Sequence, residues 1–171
     1  MPVSSPLGKD IIKGWFGTQK DILKIVDVGC GEGTYKKLLG DKYYWIGVEI
    51  WKDYIKKYNL KSLYNEIIEG DIREIPLPDA DCIIFGDVIE HLPRIDALKL
   101  LGQSVEKYKH LVLSIPIGKY EQGAIEGNPN EEHKATWYFD DLAAIIQPVF
   151  ATIIPYCPTC PKNMGIGIFV K

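Results

Sequence analysis

Val26-Asp27-Val28-Gly29-Cys30-Gly31-Glu32-Gly33 is a β-rich apolar run that stops in three glycines at alternate positions. The alternation before Gly29 reads as the end of a strand, begun near Ile22. Glycine without a Cβ lets a chain turn sharply and approach a bound group closely. Thr34 to Leu39 follows with helical character, so the segment is a strand, a tight glycine turn and a helix. The spacing is G-x-G-x-G, which departs from the G-x-G-x-x-G of nicotinamide-type dinucleotide sites.

Outward from this turn the pattern repeats. Tyr43 to Ile50 predicts a second strand, and Lys52 to Leu63 a helix with Tyr54, Ile55, Tyr58 and Leu63 as its apolar side. Glu66 to Glu69 and Asp81 to Phe85 predict the third and fourth strands. Ala97 to Tyr108 predicts an amphipathic helix, and His110 to Ile115 a fifth strand stopped by Pro116. Strands alternating with helices imply an α/β fold in three layers around a parallel sheet. Ile117 to Thr136 is polar and too long for a plain connection, which marks a functional loop. Asp140 to Gln147 predicts a helix, with Asp140 complementing the dipole at its start. Val149 to Tyr156 and Gly165 to Val170 are the last strands. Their link is too short for a crossover helix, so they pair antiparallel. Before the first strand, Ile11, Ile12, Trp15 and Phe16 form one face of a helix expected to pack on the core.

Acidic residues fall at the ends of these strands. Glu49 closes the second strand about twenty residues after the glycine turn, where a carboxylate accepts ribose hydroxyls. Asp71 follows the third strand, placed to accept from an adenine amino group, and Asp87 follows the fourth. Any one of them reads equally as a cap or a solvated turn. Four strand ends that each deliver a glycine or an acid to one sheet edge read as a ligand rim.

With those residues in place, the chain resembles the class I S-adenosylmethionine-dependent methyltransferases. The resemblance lies in VDVGCGEGTY at 26–35, GVEI at 47–50, EGDI at 69–72 and FGDVIEHL at 85–92. It implies a Rossmann-like, seven-stranded, mostly parallel sheet with an antiparallel last strand, and S-adenosyl-L-methionine as cofactor. It further implies that Asp27, Gly29 and Gly31 surround the methionine end and Glu49 the ribose. Asp71 and Ile72 would meet the adenine, with Ile50 as a second apolar wall and Asp87 at the same rim. One methyltransferase domain over 1–171, with 1–20 as an N-terminal helical segment, is the expected organisation.

Methyl transfer to an oxygen acceptor needs a proton removed, and a histidine suits that task. His91, in Asp87-Val88-Ile89-Glu90-His91, and His133, in the long loop, are the catalytic candidates together with Glu90. Each also admits a structural reading, as a turn residue or a helix-start charge. Asp87, Glu90, His91 and His133 together form a donor set that a divalent ion accepts. That pattern is similar to metal-assisted small-RNA 3′-terminal ribose methyltransferases, with His133-Lys134-Ala135-Thr136-Trp137 as the later motif. The same D-V-x-E-H occurs in metal-free small-molecule enzymes, so no metal is assigned. His110, away from the motifs, is expected to be structural.

Composition narrows the partners. The 171 residues carry a formal net charge of −3, with 46% hydrophobic and 25% charged residues, so no global basic field favours nucleic acid. Lys52, Lys56, Lys57 and Lys61 read as a solvated helix face. No apolar run is long enough for a membrane span and no leader pattern is present, which makes a cytoplasmic location the expectation. Cys157 and Cys160 form a lone C-x-x-C read as a turn, since a zinc site needs a second ligand pair. The expected acceptor is a small molecule or glycan-like substrate. A ribose methyltransferase acting on RNA and a non-catalytic cofactor-binding module are the alternatives.

Overall fold

The computed structural model describes residues 5–156 and 165–171. Seven strands form one sheet in the order β3-β2-β1-β4-β5-β7-β6. They are β1 (Lys24–Val28), β2 (Tyr44–Glu49), β3 (Glu66–Glu69), β4 (Cys82–Gly86), β5 (His110–Ile117), β6 (Phe150–Pro155) and β7 (Gly165–Val170). The β1–β2, β2–β3, β1–β4 and β4–β5 pairings are parallel, and β7 is antiparallel to both β5 and β6. This is the expected three-layer α/β, Rossmann-like architecture. Because β2 lies on one side of β1 and β4 on the other, successive connections leave the β1–β4 seam in opposite directions. Their divergence opens a crevice at the carboxyl ends of the strands.

The period of two along each strand sorts side chains onto two faces. Val26, Val28, Ile83, Phe85, Leu111 and Leu113 belong to one apolar core, packed against α5 (Arg94–Lys107) and α6 (Phe139–Ile146). Ile25, Trp45, Ile84 and Val112 belong to the other, beneath α1 (Lys9–Thr18), α2 (Thr34–Leu39), α3 (Lys52–Lys57) and α4 (Leu60–Leu63). Ile12 and Phe16 of α1 are fully buried there, so the aromatic face of the N-terminal helix is core, as its pattern implied.

Three local expectations change. The helix expected over 52–63 is two helices, because Asn59 takes a left-handed φ of 50° that ends the first one. Pro116 does not stop β5, which runs to Ile117. The β4 pairing ends at Ser114, so Pro116 has only β7 as a neighbour, and a strand with one open side tolerates a missing N–H. The helix read from Ala97 begins three residues earlier, at Arg94, directly after Pro93. Cys157 and Cys160 lie outside the described residues. No helix among the described residues is long and apolar enough to cross a membrane.

Gly86 ends β4 where the ring of Tyr35 lies across the backbone. A Cβ there would fall inside the van der Waals radii of Tyr35 Cε2 and Oη. Gly86→Ala should therefore lower stability by about 1–3 kcal/mol, the usual cost of overpacking. Urea unfolding reads this as a lower midpoint at unchanged slope.

Candidate functional site

The crevice is a cavity of about 330 Å³ at the carboxyl ends of β1, β2 and β4. Its lining includes Asp27, Gly29, Gly31, Glu49, Ile50, Asp71, Ile72 and Asp87, and equally Glu90, His91 and His133. Every candidate named from the sequence therefore opens onto one space. What brings each there is local. Gly29, Gly31 and Gly33 all have positive φ, of 60°, 50° and 80°, which folds the turn after β1 back on itself. Asp87 also has a positive φ, 55°, rare for a residue with a Cβ. Its N–H donates to the Ser114 carbonyl at 2.8 Å, and its Oδ2 accepts from the Ser5 N–H at 3.1 Å.

Burial governs the electrostatics. Asp27 is 1% exposed. Loss of hydration pushes its carboxyl up to about 7, against the opposing effect of the Tyr64 hydroxyl, which donates to Oδ2 at 2.6 Å. Glu49 is raised by the same desolvation. Two backbone donors hold it back, the N–H of Trp51 on Oε1 at 2.8 Å and that of Gly31 on Oε2 at 3.0 Å. Asp71 is lowered, because Arg73 hydrogen-bonds it. Lys9, 8% exposed, donates to Tyr35 Oη at 2.5 Å. Burial lowers its ammonium to about 8, while Asp87, Asp27 and Glu90 act to keep it charged.

Pattern reading missed Ser5, Lys9, Tyr35 and Tyr64. Their contacts with the rim span 26 to 82 residues of sequence, and only the Tyr35 that follows the glycine turn carried a local signal.

The second half of the cavity is built from the turn after β4 and the loop after β5. A bridge between Gly118 and Trp137 closes this loop at its base. Within it, Asn128 caps the Pro129–Glu131 turn through the Asn130 N–H. Lys57 of α3 pairs with Glu126 at 2.6 Å. Lys134 and Ala135 donate their N–H groups to the Glu90 carbonyl at 2.8 and 3.0 Å. This sewing places His133 beside His91, with ring centroids 4.8 Å apart. One ligand atom from each of Glu90, His91 and His133 lies within 4.8 Å of the others. His133 Nδ1 is 2.8 Å from the Tyr120 carbonyl, and His91 Nδ1 is 3.2 Å from the Glu132 carbonyl. A carbonyl only accepts, so in the neutral form of each imidazole Nδ1 carries the hydrogen and Nε2 presents the lone pair. Desolvation, then His133, lowers His91 to about 4, which keeps it neutral at physiological pH. Glu90 is 1% exposed and its carboxylate oxygens have no hydrogen-bond partner among the described residues. Burial and the neighbouring Asp87 raise it well above the ordinary range. His110 is apart from this group, held by both oxygens of Asp21 at 3.2 Å, as expected for a structural residue.

Residues 26–104 match the family model for a methyltransferase domain. That span runs from β1 through α5 and holds every strand-end motif of the rim. The match covers a little under half of the chain and supports its resemblance to the class I S-adenosylmethionine-dependent methyltransferases. That resemblance supports S-adenosyl-L-methionine as the methyl donor. Among solved structures, the methyltransferase is similar to the N-terminal domain of EvdMO1 with SAH bound, at a TM-score of 0.69 and 12% identity over 98% of this chain and 81% of that one. The same EvdMO1 domain in the presence of SAH and D-fucose gives 0.69 and 13%, over 98% and 83%. A SAM-dependent methyltransferase from Archaeoglobus fulgidus gives 0.64 and 20%, over 88% and 75%. The small RNA methyltransferase HEN1 gives 0.69 and 19%, over 96% of this chain but 25% of that one. These likenesses are of fold. No curated protein matches the sequence.

The charge state of Asp27 has a measurable consequence. A carboxyl raised from 3.8 to about 7 in the folded state contributes stability below pH 3.8 that is lost as pH rises through 7. The wild-type methyltransferase should lose more stability between pH 4.5 and 8 than Asp27→Asn. Urea titrations of both at the two pH values check the sign.

Proposed function

We propose that this methyltransferase methylates a hydroxyl of a small, uncharged, glycan-like acceptor, with His133 as general base. The observation that carries the reading is the joining of the glycine–acid rim and the Glu90–His91–His133 group in one cavity. S-adenosylmethionine supplies an electrophilic methyl on a sulfonium, which leaves by in-line displacement without a covalent enzyme intermediate. The fit to this donor rests on the rim itself, where a glycine turn gives access to backbone and buried carboxylates favour a cation.

In this reading Asp27, Gly29 and Gly31 hold the methionine end. Glu49 takes the ribose hydroxyls with lone pairs left over from Gly31 and Trp51. Asp71, Ile72 and Ile50 take the adenine, and Asp87 shapes the floor. His133 receives the acceptor proton on Nε2, since the Tyr120 carbonyl fixes its tautomer. His91, held neutral, is a weaker base and positions the acceptor with Glu90. EvdMO1's structure in the presence of SAH and D-fucose supports a sugar-like acceptor. So does the scarcity of unpaired cations in the cavity, where Arg73 is held by Asp71 and Asp96. Acceptor and donor are best brought to near-attack distance by the 118–137 loop, which also excludes water. The N-terminal segment covers the rim at Ser5.

A second reading is favoured by one observation. One ring nitrogen from each of His91 and His133 and an oxygen of the buried Glu90 carboxylate, unpartnered among the described residues, lie within 4.8 Å, a donor set suited to a divalent cation. The carbonyls behind each imidazole orient the ligands. In that case the three residues are ligands, and an RNA 3′-terminal ribose is the acceptor, as the HEN1 likeness suggests.

Three measurements test these readings, and the last of them separates the two. Glu49→Gln should weaken S-adenosylmethionine binding by about 1–3 kcal/mol in calorimetry, and unchanged affinity removes the ribose assignment. His133→Ala should lower the rate of methyl transfer to a polyol panel by about 10²- to 10⁴-fold while cofactor affinity stays within error. A wild-type rate insensitive to EDTA supports the base. Loss with EDTA, recovery with Mn²⁺ and steep salt dependence on RNA termini support the cation.

A further inference from the structure

The 118–137 loop has two sides, and only one faces the cofactor rim. On its outer side is a second cavity, of about 470 Å³. Tyr120, Gln122, His133 and Lys134 line both cavities, so they form the partition between them. The partition is tied at several points. The His133 N–H donates to the Gln122 carbonyl at 2.9 Å, His133 Nδ1 donates to the Tyr120 carbonyl at 2.8 Å, and Gln122 Nε2 donates to the Glu131 carbonyl at 2.8 Å. The Tyr120 ring rests on His133 and Tyr156, with centroids 5.5 and 5.8 Å away. It is nevertheless 47% exposed.

We propose that the outer cavity is a second acceptor subsite, which takes a neutral, polyhydroxylated ring against Tyr120 while the reacting hydroxyl reaches His133. The proposal rests on the reading of His133 as the base on the acceptor side. Three features point to this class of ligand. The inner cavity lies at the small end of ligand-site volumes, so donor and acceptor together need the space beyond the partition. The outer lining is close to charge balance, since Lys119 is paired with Glu121 at 2.6 Å and Glu132 accompanies Lys134. An anionic ligand would find no net positive field there. The remaining groups are an aromatic ring, an amide and the Thr136 hydroxyl, which suit the C–H face and the hydroxyls of a sugar.

Saturation-transfer difference NMR with D-fucose, in the presence of SAH, tests the subsite. The wild-type protein should give a signal at millimolar sugar. Tyr120→Ala should weaken it about 5- to 10-fold, while Tyr120→Phe keeps the ring and restores it. Thermal melting of each variant verifies folding. Equal signals from wild type and Tyr120→Ala would overturn the subsite, as would no wild-type signal at tens of millimolar. His133→Ala keeps the two ideas apart. Loss of transfer with D-fucose binding retained supports both, whereas full activity in that variant removes the base and leaves the Tyr120 comparison to decide the subsite.

Discussion

A carboxylate buried at the end of a parallel strand must be answered by hydrogen-bond donors or by positive charge, and this sheet carries such groups at adjacent strand ends. Asp27 is answered by Tyr64, and Glu49 by two backbone N–H groups. Lys9 adds a buried cation behind them. These answers are partial, as the raised carboxyls of Asp27 and Glu49 record. The rim thus stores a preference for a cation, and the divergence of connections about the β1–β4 seam leaves an opening through which one can enter.

The two faces of the sheet divide the labour. The face under α1 to α4 builds the support of the rim, with Tyr35 packed on Gly86 and Tyr64 on Gly47 and Cys30. The far side carries the loop. Holding twenty residues of chain in one conformation costs entropy, and the loop offsets it at its base and its tip. Trp137 is fully buried with Arg94 over its ring at 4.5 Å, and Glu126 pairs with Lys57 of α3. Between these anchors the loop's carbonyls set the tautomers of both histidines, so its backbone has a chemical role.

The sheet and its rim were legible because they obey short periods. Alternation places Val26 and Val28 on one face and Asp27 on the other, and glycines at a strand end announce a turn. The antiparallel pairing of the last two strands followed from a link too short for a helix. Less legible was anything set by distant partners. Asn59 gave no warning that it would break the second helix, and Pro116 looked like a stop because the end of its β4 neighbour is a tertiary fact. Lys9 carried no local signal. It is buried because the chain before α1 docks on the rim, with Ser5 bonded to Asp87. The histidines were recognisable as candidates, but which nitrogen is available depends on carbonyls 13 and 41 residues away.

The distribution of charge through the proposed reaction explains why an imidazole suits this place better than a carboxylate. Before transfer, positive charge resides on the donor, beside Asp27 and Asp87. After transfer the donor product has lost that charge, and the acceptor proton has passed to His133. An imidazolium therefore replaces a sulfonium within one acid-lined cavity, and the total charge inside it is unchanged. Glu90 and Glu131, both raised by burial, gain a cation to face at that moment and are drawn toward their ionised forms. A carboxylate base would instead become neutral on taking the proton, and would leave the buried acids without the charge that stabilises them. The same acids that attract the donor thus favour the protonated base.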